Sequence, residues 1–401
     1  MPTDATPGSQ AALRAANRQR VVDALDEGTL TQAQIARTTG LSAATVSNIV
    51  RDLRANGTVA VRLTSANGRR ARAVSLVRPA GAVGAVTFEV DCIEAAVADG
   101  RERVLARERI PYDVAADPLR GVRRGAWLLE TVLNAARLDR ASVARVVASV
   151  PGPVDLATGE VGATSCMPRW VGFAPGAALG DRIRLPVSVE NDANLCALAE
   201  HRMGEARGLD HVLYVRLTHG VGAGLIVAGQ LVRGAGGSAG EFGHISLDER
   251  GQVCRCGNRG CLETLAGPPS LVSMVPSGGP VTVADLIAGA HAGDPGSRRI
   301  VAEAGAALGR GLAIMATVLN PQLVVVGGDI VATDALLLDP LRRSLELGGV
   351  EYRGAGSPRR RRERPGRSTT GSAGPRSGVH RRGLRSGHSC SLARSGSGLR
   401  S

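Results

Sequence analysis

Three cysteines, Cys254, Cys256 and Cys261, crowd into eight residues and follow His244 at His-x9-Cys-x-Cys-x4-Cys spacing. One imidazole and three thiols at such spacing supply the four nitrogen and sulfur donors of a closed tetrahedral zinc site. Glycines beside the cysteines let the chain turn tightly enough to gather them. Whatever else the chain folds into, it must bring residues 244 and 261 into one small volume. Thiols used this way fit a reducing, cytoplasmic compartment better than they fit disulfide formation. Glu241 and Glu263 place a carboxylate on each side of the motif.

A chain of 401 residues has room for two or three domains with a sizeable core. No run approaches the roughly eighteen apolar residues of a membrane span, and the N-terminus lacks an apolar signal core, so the expectation is a soluble protein without membrane contact. The net charge of +13 is unevenly spread. Residues 12–78 carry eleven Arg against four acids and residues 351–401 thirteen Arg against two, whereas 79–350 carry twenty-five Arg against twenty-nine acids. An acidic body is thus flanked by a basic N-terminal module and an arginine-rich tail, and only the compact module reads as a nucleic-acid surface.

In that module Leu30-Thr31-Gln32-Ala33-Gln34-Ile35 has the form of a capped helix start. Thr31 caps, Gln34 answers it, and Gly40 ends the helix in the left-handed conformation. Ser42 caps a second helix, in which Val46, Ile49, Val50 and Leu53 form one apolar stripe. Two helices joined by such a turn describe a helix-turn-helix whose second helix enters the major groove. Ser42, Ala43, Thr45, Ser47, Asn48 and Arg51 are the candidate DNA contacts on that helix. Val59, Val61 and Leu63, then Asn67-Gly68, then Val74 and Leu76 read as a hairpin wing, with Arg62, Arg69, Arg70 and Arg72 placed to reach phosphates. The alternative is a small protein-interaction domain with a basic face.

After Pro79 the pattern becomes α/β. Strands are expected at 83–90, 93–98, 143–150, 186–189, 213–217 and 323–326, with a helix at 126–138. Pro151-Gly-Pro-Val-Asp155 and Glu190-Asn-Asp-Ala-Asn194 follow strand ends, where open α/β sheets present ligand groups. Asp192 is the best candidate for a general base, and the competing reading of the Asn191-Asp192 pair is a helix N-cap. Thr218-His-Gly-Val-Gly-Ala-Gly224 reads as a glycine turn able to cradle phosphate, and Gly327-Gly328-Asp329 as a second one.

Together and in this order, these motifs resemble the ROK family of sugar kinases and sugar-responsive repressors. The resemblance spans residues 18 to about 345 and is most specific at Glu241-x-Gly-His244 and Cys254-x-Cys-Gly-x-x-Gly-Cys261-Leu-Glu263. It implies a winged helix-turn-helix over 12–78, then a two-lobed actin-like (ribonuclease-H-like) ATPase fold, with lobes at 82–192 and 193–348. It also implies sugar contacts from Asn191, Asp192, Glu241, His244 and Glu263, and zinc held by His244, Cys254, Cys256 and Cys261. His244 would serve both, one ring nitrogen to each.

Kinases of the family open their first strand into Asp-x-Gly-Gly-Thr, whose amides bind ATP phosphate. Here the stretch is Val86-Thr-Phe-Glu-Val-Asp-Cys-Ile93, with Glu89 and Asp91 where phosphate belongs, so no catalytic residue is expected; Asp192 would take that part in a kinase. Cys166 stands where the family often has Asn. Residues 349–401 depart altogether; the Arg/Gly/Ser composition cannot bury a core and points to a disordered or out-of-frame tail. The expectation is a zinc-containing repressor that binds operator DNA as a homodimer or homotetramer under control of a small sugar or sugar phosphate. An ATP-dependent sugar kinase with an appended DNA module is the alternative.

Overall fold

The structure is a computed structural model that describes residues 17–18, 20–25, 28–55, 58–66, 69–77, 81–163, 165–277, 279–348 and 384–386; of these, 65–66, 69–71 and 384–386 are described by backbone alone. The N-terminal module contains helical residues 20–25 (α1), β1 (Leu30–Thr31), α2 (Gln32–Thr39), α3 (Ala43–Ala55), β2 (Val59–Ala66) and β3 (Arg69–Leu76). Thr31 and Gln34 close the expected capping box, and Gly40 ends α2 at φ 70°. The Thr45 amide donates to Ser42 Oγ at 3.1 Å and so caps α3. Helix α1 lay outside the sequence expectation; its Val21 and Leu25 complete a core with Ile35, Val46, Val50, Leu53, Val59 and Val74. Strands β2 and β3 pair up to Ala66 opposite Arg69, and β1 joins the far edge of β3. The Asn67-Gly68 turn itself lies outside the described residues.

The body repeats one topology twice. Its first half comprises β4 (Ala82–Phe88), β5 (Cys92–Ala98), β6 (Val104–Pro111), α4 (Pro118–Ala135), β7 (Val143–Val150), α5 (Pro175–Ile183) and β8 (Val187–Asn191). The second comprises α6 (Asp192–Met203), β9 (Val212–Leu217), β10 (Val221–Val227), β11 (Gln230–Val232), α7 (Leu262–Ala266), α8 (Pro268–Ser273), α9 (Val283–Ala292), α10 (Pro295–Leu319), β12 (Leu323–Gly327), α11 (Ala335–Gly348) and β13 (Leu384–Ser386). The sheets run β6-β5-β4-β7-β8 and β11-β10-β9-β12-β13, three antiparallel strands followed by two parallel ones in each. Each half has its own apolar core, one around Val86, Phe88, Leu129 and Trp170, the other around Val215, Leu262, Leu308 and Val326.

Four expectations need correction. Helix α4 begins at Pro118 and not at Ala126, because Asp117 caps it by accepting from the Arg120 amide at 3.0 Å. The glycine turn of 218–224 is shorter than expected, since Gly222 and Gly224 lie inside β10. A Cβ on Gly224 would come within 2.5 Å of both Ala193 O and Ala197 Cβ, so glycine serves the close approach of α6 to the sheet, not phosphate. Helix α10 is long and apolar enough to cross a membrane by length and composition, but half of that window is buried and it packs in the core beside α11. Three tail residues form β13, adding to the outer edge of β12 where backbone groups would otherwise be open; residues 349–383 and 387–401 lie outside the described residues. Just beyond α6, Arg207 ion-pairs with Asp23 of α1, joining body and N-terminal module.

Candidate functional site

The end of β8 with the start of α6, the end of β9, the short 3-10 turn Phe242–His244 and the first turn of α7 converge on one small cavity. Asn191, Asp192, Glu241, His244 and Glu263, the five expected sugar contacts, all line it, together with Cys166 and three residues of basic type that sequence reasoning missed: Arg216, His219 and Arg255.

Asn191 is indeed the N-cap of α6. Its Oδ1 accepts from the Asn194 amide at 3.1 Å and its Nδ2 donates to Gly152 O at 2.9 Å, so capping and pocket lining coincide in one side chain. Asp192 Oδ1 accepts from the Ala193 amide at 2.7 Å, while Oδ2 accepts from Arg216 Nη1 at 2.9 Å. Arg216 Nη2 donates to Glu89 Oε1 at 2.6 Å, and Nη1 also reaches Thr218 Oγ1. Burial works against the Arg216 charge, but Asp192 and Glu89 outweigh it and hold the guanidinium protonated well above its ordinary range. Burial pushes the Glu89 carboxyl up against the pull of Arg216. Nearby, His219 Nε2 lies 3.4 Å from Asp91 Oδ1. The signal for Arg216 was a lone charge in the strand Val-Leu-Tyr-Val-Arg-Leu, every residue of which is buried.

The four expected metal donors meet: the ligand atoms of His244, Cys254, Cys256 and Cys261 lie within 4.8 Å of one another. Cys254 Sγ is 3.5 Å from His244 Nδ1 and Cys256 Sγ 3.6 Å from Cys261 Sγ. A tetrahedral zinc with sulfur bonds of about 2.3 Å sets its sulfurs about 3.8 Å apart, so the donor set fits such an ion. Local backbone makes this possible. A Cβ on Gly243 would fall 2.2 Å from Val221 O, and Gly260, at φ 60°, has Asp248 O 1.7 Å from the place of its missing Cβ. With Nδ1 toward the thiols, His244 turns Nε2 toward the cavity, 3.7 Å from Glu241 Oε2. Arg255, between two of the cysteines, donates to Glu263 Oε2 at 2.7 Å, and that oxygen also accepts from the Val221 amide at 3.2 Å. Burial pushes the Cys166 thiol up to about 12, leaving a neutral group where an Asn was expected. The cavity is therefore lined by carboxylates, two of which, Asp192 and Glu263, are already met by a guanidinium.

The DNA-contact candidates lie on the N-terminal module, apart from this cavity. Ser42, Ala43, Ser47, Asn48 and Arg51 are exposed and Thr45 is half-buried. The Ser42 and Thr45 hydroxyls pair at 2.8 Å, and Arg51 Nη2 donates to Asn48 Oδ1 at 2.7 Å. Arg62 and Arg72 are exposed on the wing; the side chains of Arg69 and Arg70 lie outside the described residues.

Residues 83–354 match the ROK family, and residues 15–64 match a domain of unknown function, DUF7343. A xylose repressor from Caldicellulosiruptor bescii is 26% identical over 353 residues, covering 84% of this chain and 88% of the relative. A solved ROK family glucokinase from Streptomyces griseus, in complex with glucose and AMPPNP, superposes with a TM-score of 0.61 at 28% identity over 68% of this chain and 92% of its own. A solved ROK family transcriptional regulator, a homologue of the E. coli MLC protein, gives a TM-score of 0.61 at 24% identity over 84% of this chain and 89% of its own. That likeness is one of fold, the two-lobed actin-like ATPase arrangement preceded by a helix-turn-helix. On the family match and the paired sheets that carry its motifs, this chain belongs to the ROK family.

Proposed function

We propose that the chain is a sugar-responsive transcriptional repressor that binds operator DNA through α3 and the wing and binds a small sugar or sugar phosphate in the cavity between its lobes. One observation carries the reading most directly. A capped α3 with an exposed polar face shares the chain with a cavity whose central carboxylate, Asp192, is ion-paired to Arg216. In this reading Asp192, Glu241 and Glu263 accept hydrogen bonds from sugar hydroxyls, while Asn191 Nδ2 and His244 Nε2 donate to them. Zinc would be held by His244, Cys254, Cys256 and Cys261, and when bound it fixes the His244 tautomer and the Cys loop. A ligand with different affinity for two lobe arrangements shifts the balance between them and with it the placement of the DNA modules. Two modules in a homodimer or homotetramer read two half-sites, which one module does weakly. The reading places the protein in the cytoplasm.

The test is fluorescence anisotropy of the full chain with DNA from its own upstream region, at several salt concentrations, with and without a panel of pentoses, hexoses, N-acetylhexosamines and their phosphates. Salt-dependent binding that one sugar shifts is expected. Absence of binding at low salt refutes the repressor. Sugar-dependent release of ADP from ATP, abolished by Asp192→Asn, would establish the kinase in its place.

A further inference from the structure

The resemblance to the family's kinases places ATP phosphate at the turn after the first strand. Here the turn after β4 carries Glu89 and Asp91, and the segment from β9 into β10 carries Arg216 and His219. The two face each other directly. Arg216 spans from Glu89 Oε1 at 2.6 Å to Asp192 Oδ2 at 2.9 Å, and His219 Nε2 lies 3.4 Å from Asp91 Oδ1. A further pair, Arg233 to Glu190 Oε2 at 2.6 Å, ties the end of β11 to β8 of the first lobe.

We infer that Arg216 is a built-in substitute for the phosphate bridge: it joins the two lobes across the cleft and makes the cavity take its ligand without a nucleotide. The chemistry favours this over a vacant anion site. Arg216 is 9% exposed, and its donors are directed at Glu89, Asp192 and Thr218. Three carboxylates, those of Glu89, Asp91 and Asp192, surround one guanidinium and one imidazole, so an incoming triphosphate meets excess negative charge and must displace a carboxylate before it reaches the cation. The bridge also occupies Asp192. One of its oxygens is held by the Ala193 amide and the other by Arg216, an arrangement suited to fixing an acceptor for a ligand hydroxyl. Arg216 is in this sense a positioning residue. Glu89 Oε2, buried and without a hydrogen-bond partner, marks the bridge as a set built around charge and not around complete hydrogen bonding.

The inference concerns the cavity of the proposed repressor, yet its test needs neither DNA nor sugar and so stands or falls separately. Amide hydrogen exchange of the full chain is measured over residues 88–92 and 216–221, with and without ATP and Mg²⁺. The wild type is expected to exchange slowly in both segments and to be unchanged by ATP. Glu89→Gln, which keeps size and leaves Arg216 paired to Asp192, is expected to exchange roughly tenfold faster in both segments while its other helices and strands stay protected. Should that variant fail to fold, Asp91→Asn with His219→Gln, at partly exposed positions, is expected to give the same change at smaller amplitude. Protection of both segments by ATP in the wild type, or unchanged exchange in a folded variant, overturns the inference.

Discussion

Arg216→Met removes the cation between Glu89 and Asp192 and leaves their carboxylates buried. The three side chains retain 10%, 12% and 13% exposure, so water screens the loss little. Breaking a buried ion pair on one side costs about 3–5 kcal/mol, because the stranded charges keep their desolvation penalty. For a body of this size that corresponds to a melting temperature roughly 6–20 °C lower. The penalty belongs to the stranded carboxylates more than to the lost methylene packing, since Met fills much of the arginine stem's volume. Adding Glu89→Gln and Asp192→Asn to Arg216→Met is therefore expected to return at least half of the lost stability. Differential scanning fluorimetry and urea unfolding followed by circular dichroism measure both quantities. A single variant within about 1 kcal/mol of wild type, the range of an exposed pair, refutes the reasoning. So does a triple variant no more stable than the single one.

Metal removal gives a second prediction. Chelation should make Cys256, whose thiol is lowered because burial is outweighed by hydrogen bonds from Asn258 and the neighbouring cysteines, open to iodoacetamide at pH 8, while Cys92 and Cys166 stay unmodified, because burial pushes their thiols up to about 11 and about 12 and so holds the reactive thiolate scarce until far above that pH. Peptide mass spectrometry resolves the sites, and alkylation of Cys166 before Cys256 contradicts the assignment. At the cavity, Glu263→Ala should abolish sugar binding by calorimetry and release Arg255, whereas metal content measured by atomic emission should be unchanged. On the DNA module, Arg51→Ala should weaken operator binding by about 1–3 kcal/mol and relax its sequence preference. Arg62→Ala should weaken all sequences alike and flatten the salt dependence by about one phosphate contact in anisotropy titrations.

What the sequence disclosed was local. Thr31, Gln34 and Gly40 announce the ends of α2 because capping partners lie within a few residues, and the cysteine spacing announces its cluster for the same reason. The five pocket side chains were legible through motifs, although they come from four separate elements. Arg216 was not, since its partners lie 24 and 127 residues away and no local rule connects them. The turn at 218–224 was misjudged for a related reason. A glycine that frees the backbone and a glycine that admits a neighbouring helix look identical in sequence, and only the contact of Gly224 with Ala193 and Ala197 separates them. Helix α4 was shortened because Arg120, Arg123 and Arg124 mask its first turns, and α1 was missed because only Val21 and Leu25 of its face are apolar enough to be buried.

The two sheets share one strand order, and each carries its own apolar core. Glu89 to Arg216 and Glu190 to Arg233 are polar contacts that bridge these separate cores, and in the proposed repressor a change in cleft opening works against them. Lost contacts of that kind cost a few kcal/mol, whereas a ligand bound at micromolar to millimolar concentration releases about 4–8 kcal/mol. The proposed repressor is in effect two shells on an electrostatic catch, light enough for a single small solute to change its posture.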